Sequence, residues 1–437
     1  MKTNVAWLGA LLLAGHLSAF AQDKRPMQLE EVIQLATQNS TESKIANSKV
    51  TGRQLELEVA KNNRLPDIKL SGQFMGLTDA DVKMRIPSAA SATSPIGNIS
   101  VNQVILGSAT ITQPIFTGNK IKNGVLASEN AVKLESYLAL NTKEQLAQQA
   151  VKLYLSLYKA QQTEILIEEN IKRYSQQVSD FKAMEQNGLI ARNDLLKAQL
   201  QLSNYQVSQQ EAHKNVRILN YQLVNFLKLQ EGTEIEQIKL DQSVDFAAQG
   251  DLTVALQNRY DVKALETQEA IALNQVDIAK AAYYPSVVLT GGYNAFDVKN
   301  LIAVHNAMNV GVGVSYDIAS LYKNKKNVNQ AKHHIQEAVE SKELLTDQIK
   351  VQVQQANENL KLAFSQEKVY AEAVAQATEN YRIVKDKYDN GVADTDDLLE
   401  ADVQQLQTRI NQAIAKANTV EKFYDLRLAN GQLTTIK

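Results

Sequence analysis

Two periodicities alternate along the chain. A stretch ending at Phe181 places Leu146, Ala150, Leu153, Leu157, Ala160, Glu164, Ile167, Ile171, Tyr174, Val178 and Phe181 at alternating steps of four and three, the spacing of a coiled-coil seam. The pattern recurs 203 residues later as Ile349, Val353, Ala356, Leu360, Ala363, Glu367, Tyr370, Val374, Ala377, Tyr381 and Val384. Even the interrupting glutamates, Glu164 and Glu367, coincide. Elsewhere the period falls to two. Ile68, Leu70 and Phe74 alternate with Asp67, Lys69, Ser71 and Gln73, and Ala109 and Ile111 alternate with Ser108, Thr110 and Thr112. Val287, Leu289 and Tyr293 alternate with Ser286, Thr290 and Asn294, while Met308, Val310, Val312, Val314 and Tyr316 face away from Asn309, Gly311, Gly313 and Ser315. These four segments predict half-buried strands.

Glycine and proline set the limits of the helices. Neither occurs between Gly124 and Gly188, Gly188 and Gly232, Gly313 and Gly391, or Gly391 and Gly431, so long helices are predicted over 119–186, 190–230, 320–389 and 394–430. The first would span on the order of 100 Å at about 1.5 Å per residue. Outside the seams these helices are rich in Gln, Asn, Lys and Glu, as expected of a one-layer wall wetted on both sides. Strands are predicted at about 67–77, 104–116, 286–296 and 307–317, with Pro66 and Pro285 marking the change from helix to strand.

The displacement of 203 extends to the turns. Asn187-Gly188 maps onto Asn390-Gly391, and Asp194-Leu195-Leu196 onto Asp397-Leu398-Leu399. Upstream, Leu65-Pro66 and Leu70-Ser71-Gly72 map onto Tyr284-Pro285 and Leu289-Thr290-Gly291 with a displacement of 219. The chain is an internal duplication whose first half carries extra residues between Leu77 and Gln103, predicted to form a long loop. Residues 22–232 form the first repeat, 233–250 a linker and 251–437 the second repeat.

Composition then narrows the setting. Lys2, the apolar run Val5–Leu17 and the small residues Ala19 and Ala21 read as a secretory signal over 1–21. No later apolar run is long enough for a spanning helix, which leaves a soluble protein or one that spans as strands. The chain has no cysteine, excluding a disulfide framework and thiolate metal sites. A formal net charge of −2 with interspersed signs gives no nucleic-acid footprint. No nucleophile elbow, phosphate-cradling loop or H-E-x-x-H element is present, so no enzyme activity, cofactor or metal is expected. The adjacent His333 and His334 do not share a helix face and read as a solvated pair. Four strands cannot close a membrane barrel, because the smallest have about 8; if these strands span a membrane, two or more chains share one barrel.

The segments LEEVIQLATQNS from Leu29, DLTVALQNRYDVKAL from Asp251, QPIFTGNK from Gln113, and the two NG…DLL turns resemble the TolC-type outer membrane efflux proteins across nearly the whole mature chain. That resemblance implies an α+β membrane protein: a homotrimer with a 12-stranded transmembrane barrel continued by a helical periplasmic barrel, and an equatorial position for the linker. It orients the loops at 78–103 and 297–306 outward and the turns at Gly188 and Gly391 toward the periplasmic tip. It implies outer membrane lipid, a periplasmic adaptor (membrane fusion protein) and an inner-membrane transporter of resistance-nodulation-division or ABC type as partners. Asn187, Gly188, Leu189, Asn390, Gly391 and Val392 become adaptor-docking tips, Asp397 and Glu400 aperture acids, and Tyr388 a gate residue. Ala393 stands where the family's basic latch residue is expected. Helix N-terminal chemistry accounts for Asp394, Asp396 and Asp397 equally well, and Asp402 lies in the same acidic stretch. The alternative reading is a soluble periplasmic adaptor or scaffold built on a helical hairpin.

Overall fold

The computed structural model describes residues 24–82, 99–236, 238–240 and 249–434. The signal segment, residues 83–98 of the first loop and 241–248 of the linker lie outside them. In chain order the elements are β1 Lys24–Arg25, α1 Leu29–Asn39, α2 Thr41–Asn62, β2 Asp67–Val82, β3 Ile99–Phe116, α3 Lys120–Gln186, α4 Arg192–Leu227 and β4 Glu234–Ile235. There follow α5 Leu252–Asn258, α6 Tyr260–Lys280, β5 Ser286–Val298, β6 Ile302–Ser315, α7 Ser320–Asp389 and α8 Thr395–Ala429. No helix among them is long and apolar enough to cross a membrane.

Two compact units emerge, and neither is a sequence repeat. One comprises residues up to 46, 139–260 and 346 onward; the other comprises 47–138 and 261–345. Each draws on both halves of the duplication, and α3 and α7 contribute residues to both units.

The second unit holds a sheet of order β2-β3-β5-β6, antiparallel throughout. Leu70 lies opposite Ala109, and Tyr293 opposite Met308. The edge strands β2 and β6 are largely exposed rather than half-buried, whereas β5, paired on both sides, is mostly half-buried as its alternation suggests. Leu70 and Val310 are each 82% exposed and Met308 81%, and Asp67, Lys69, Ser71 and Gln73 of β2 are exposed as well. A single layer with nothing stacked on it has no inside, so alternation here sorts side chains between two faces rather than between core and solvent. The strands are also longer than their apolar runs. β2 continues to Val82 through Thr78-Asp79-Ala80, where its register against β3 shifts between Gly76 and Ala80. The loop expected at 297–306 contracts to Lys299–Leu301, with Asn300 at φ 67° and the Leu301 N–H donating to the Val298 carbonyl at 3.0 Å.

Where strand passes to helix, Gly118 at φ +62° is a strict requirement, since a Cβ there would lie 2.6 Å from the Ala281 carbonyl oxygen. On the other side of this junction a 3-10 turn at Ala281–Tyr283 precedes β5. Ser320 donates to the Ala282 carbonyl at 2.7 Å, and Asn324 to that of Ala279 at 2.7 Å. A small core of Val276, Val328 and Ala331, backed by Tyr283 and Ile335, joins α6 to α7.

In the first unit both seams are buried or half-buried along their whole length, and the polar interruption at Glu164 is answered by His213 Nδ1 on α4 at 2.8 Å. The largest core gathers Val32, Ala36, Tyr154, Leu155, Leu157, Leu223, Leu227, Ile235, Tyr424 and Leu433. Each repeat opens with two helices instead of one continuous helix, broken at Ser40 and at Arg259. Side-chain amides replace missing ladder partners. Gln161 donates to the Ile235 carbonyl at 3.2 Å and accepts from the Ile238 N–H at 3.0 Å. The buried Glu144 carboxylate accepts the backbone N–H groups of Leu433 and Thr434 at 3.1 and 3.0 Å, tying the C-terminal segment down.

Tyr154 donates to the Met27 carbonyl at 2.7 Å, and Tyr424 to Glu30 at 3.4 Å. Burial first, and Glu30 and Glu31 second, push the Tyr154 hydroxyl up to about 12; burial and Glu30 do the same for Tyr424. A raised phenol favours the neutral form in the fold, so its contribution is complete below the ordinary tyrosine value of about 10 and is lost as pH rises through 12. Thermal unfolding followed from pH 8 to 12 should show Tm falling between pH 10 and 12, with a shallower fall in Tyr154→Phe. Parallel profiles would refute this assignment.

Candidate functional site at the helical turns

The two turns that join the long helices are built alike, position for position. In the first, the Gly188 N–H donates to the Glu185 carbonyl at 2.9 Å and the Leu189 N–H to that of Met184 at 2.9 Å, while the Asn187 side chain donates to the Ala183 carbonyl at 2.7 Å. In the second, Gly391 reaches Tyr388 at 2.9 Å, Val392 reaches Lys387 at 2.8 Å and the Asn390 side chain reaches Asp386 at 2.6 Å. Gly188 at φ +72° and Gly391 at φ +70° supply the left-handed residue that this helix ending needs. An apolar residue after such a glycine commonly folds back on the helix. Here Leu189 is 71% and Val392 74% exposed, which leaves two apolar side chains presented outward.

The helices that leave the turns differ. α4 starts after Ala191 with no side-chain cap, whereas α8 has a full capping box: Asp394 accepts the Asp397 N–H at 2.9 Å, and Asp397 accepts that of Asp394 at 3.5 Å. Asp397 is thus an N-terminal capping partner as well as a candidate aperture acid. Glu400, one turn on, accepts the Gln404 side-chain amide at 3.0 Å. Both acids are exposed, and among the described residues neither forms an ion pair. Asp396 pairs with Lys197 of α4 at 2.7 Å, an exposed contact of small energetic weight.

Packing brings the two turns together. Phe181, Leu195, Ala198 and Leu398 form a core backed by Met184, Ile190, Tyr381, Val384 and Tyr388, so α3, α4, α7 and α8 all contribute. The Tyr388 ring stacks on Phe181 with centroids 5.5 Å apart. Its hydroxyl is buried without a hydrogen-bond partner among the described residues. The candidate gate residue is therefore a packed ring with an unused polar group.

Sequence reasoning passed over one residue here. Asp402 is 2% exposed and accepts the Tyr205 hydroxyl at 2.8 Å and the Asn170 amide at 3.2 Å. Leu398, Asp402 and Leu406 recur at steps of four, so the acid occupies a seam position; that spacing was the available signal.

Residues 252–432 match the family model of the outer membrane efflux proteins. The outer membrane efflux protein BepC of Brucella suis biovar 1 (strain 1330) is 22% identical over 331 residues, which cover 74% of this chain and 71% of the relative. The solved structure of CusC aligns with a TM-score of 0.79 at 16% identity over 92% of both chains. The outer membrane channel CmeC of Campylobacter jejuni aligns at 0.77 and 19% identity, covering 96% of this chain and 91% of that one. At such identities the structures establish the fold alone, which this chain shares with them. The second half of the chain is thus similar to the outer membrane efflux proteins, and the chain shares its fold with solved outer membrane channels.

A buried hydroxyl without a partner costs about 1–3 kcal/mol relative to one that is satisfied. Tyr388→Phe should therefore leave Tm unchanged or raise it. A clear fall in Tm would show that the hydroxyl is bonded in the assembled protein.

Proposed function

We propose that the chain is the outer-membrane exit duct of a tripartite efflux or type I secretion system, conducting substrate passively from an inner-membrane transporter and its adaptor. The observation that carries this reading is the four-stranded sheet. Among the described residues β2 and β6 each pair on one side only, and a band of Ile68, Leu70, Phe74, Val310, Val312 and Val314 is exposed. In lipid an open edge leaves backbone groups unpaired at a cost of several kcal/mol each, and the smallest closed membrane barrels need about 8 strands. Copies must therefore pool strands. Three copies, giving twelve strands, are the number the family resemblance supplies.

In this reading the helices form a periplasmic conduit and the turns at Gly188 and Gly391 are its inner end. The exposed Leu189 and Val392 suit docking by a periplasmic adaptor, with a resistance-nodulation-division or ABC-type transporter behind it. Asp397 and Glu400, repeated in three chains, ring the aperture; acids so arranged attract cations and resist anions. The soluble-scaffold alternative leaves the exposed valine band of β6 without a purpose.

Planar-bilayer recordings test the acid ring. The double variant Asp397→Asn with Glu400→Gln should lose most of the wild-type preference for cations and its block by multivalent cations. Retention of both would remove these acids from the aperture. The helix cap offers a built-in control, since Asn at 397 can still accept the Asp394 N–H.

A further inference from the structure

The carboxylate of Asp402 is the buried centre of a polar junction between helices that are joined elsewhere by apolar cores and by surface pairs such as Lys197–Asp396 and Arg409–Glu169. Its Oδ2 accepts from Tyr205 of α4 and Asn170 of α3, and its Oδ1 lies 3.8 Å from the Arg173 guanidinium of α3. Arg173 also donates to Gln405 of α8 at 3.1 Å and to the Asn170 side-chain oxygen, and its guanidinium carbon sits 6.0 Å from the centre of the Tyr381 ring of α7. All four long helices thus meet around one buried acid. Tyr174 lies edge-on to Tyr205 with centroids 5.3 Å apart and closes the junction on its apolar side.

The internal duplication supplies a comparison within the same chain. Displaced by 203, the positions of Asn170, Arg173 and Tyr205 are Ala373, Gln376 and Thr408, and those of Asp402 and Gln405 are Gln199 and Leu202. None of these can rebuild the junction, and the Thr408 hydroxyl returns to carbonyls of its own helix. Polar fastening exists between α8 and the α3–α4 pair, without a counterpart in the other repeat. Asp402 follows Glu400 by two residues and Asp397 by five, roughly 3 and 7.5 Å along the helix axis. Any rotation or outward swing of the start of α8 must therefore pull the carboxylate from its donors.

We infer that Asp402, held by Tyr205, Asn170 and Arg173, is a positioning residue that clamps the start of α8 and keeps the aperture acids Asp397 and Glu400 in the narrow arrangement. It does the holding at a tip where Ala393 offers no side chain for an ion pair. This inference rests on the conduit reading above. A buried carboxylate is sensitive to the loss of any single donor, because the remaining charge keeps its desolvation cost without its compensation. Opening the pore must therefore break the clamp, and weakening the clamp must favour the open state.

The test is single-channel recording of full-length Tyr205→Phe, Asp402→Asn and the double variant beside wild type, with the heat-resistant oligomer checked on gels. Tyr205→Phe removes one hydroxyl from a ring that otherwise keeps its packing, so it decides the matter even if Asp402→Asn fails to assemble. The ratio of time in the larger conductance state to time in the smaller should rise roughly tenfold, the loss expected of one hydrogen bond to a charged group. Cation selectivity should stay at the wild-type level, and the double variant should change the ratio no more than one single variant does. Traces of Tyr205→Phe indistinguishable from wild type would overturn the clamp. So would lost selectivity at unchanged opening, which would place Asp402 on the ion path instead. A wild-type protein that forms no channel would overturn the conduit reading and the clamp with it.

Discussion

Backbone hydrogen bonding at the edges of one small sheet constrains everything else in this chain. β2 and β6 end the sheet with one side of each strand unpaired among the described residues, and the broad apolar faces of these strands find no core within the chain. In water such a sheet is an aggregation template; in lipid its open edges are prohibitively costly. Only closure with further strands resolves both problems. In the proposed duct, the cost of an edge selects an assembly of several copies, and the polar faces that the long helices keep outside their seams suit a wall wetted on both sides.

Duplication gives the architecture its regularity, and departures from it show where the two halves have separated in role. The paired glycine turns keep the same hydrogen bonds at every matched position. Beyond them the halves diverge: Ala191 faces Asp394 in the alignment of repeats, so only α8 carries a capping box. The buried polar junction at Asp402 is likewise confined to one repeat. Both asymmetries strengthen the start of α8, the segment that carries the candidate aperture acids.

The helices were legible because their limits are chemical. Gly188, Gly391 and Gly431 adopt positive φ, and the seam residues stay covered for their whole length. Strand ends were less legible. The β5–β6 turn uses Asn300 rather than glycine or proline, and His305-Asn306 interrupts the alternation within β6, so its first residues read as loop. The edge strands β2 and β6 expose both faces for a physical reason: period two reports two different faces, and it reports a core only when something packs on one of them. At the candidate site the turns and acids were readable as types. The role of Asp402 was not, because an acid near a helix N-terminus already has a sufficient local explanation, and only the neighbouring helices reveal that it is buried. Glu144 escaped notice similarly, since its partners are backbone groups nearly three hundred residues away.

The central claim is that the four strands of one chain are completed by those of other copies. Mass measurement of the detergent-extracted protein, by light scattering or native mass spectrometry, tests this most directly. The account predicts three chains per particle and extraction only with detergent. A stable monomer released from the envelope without detergent would contradict it.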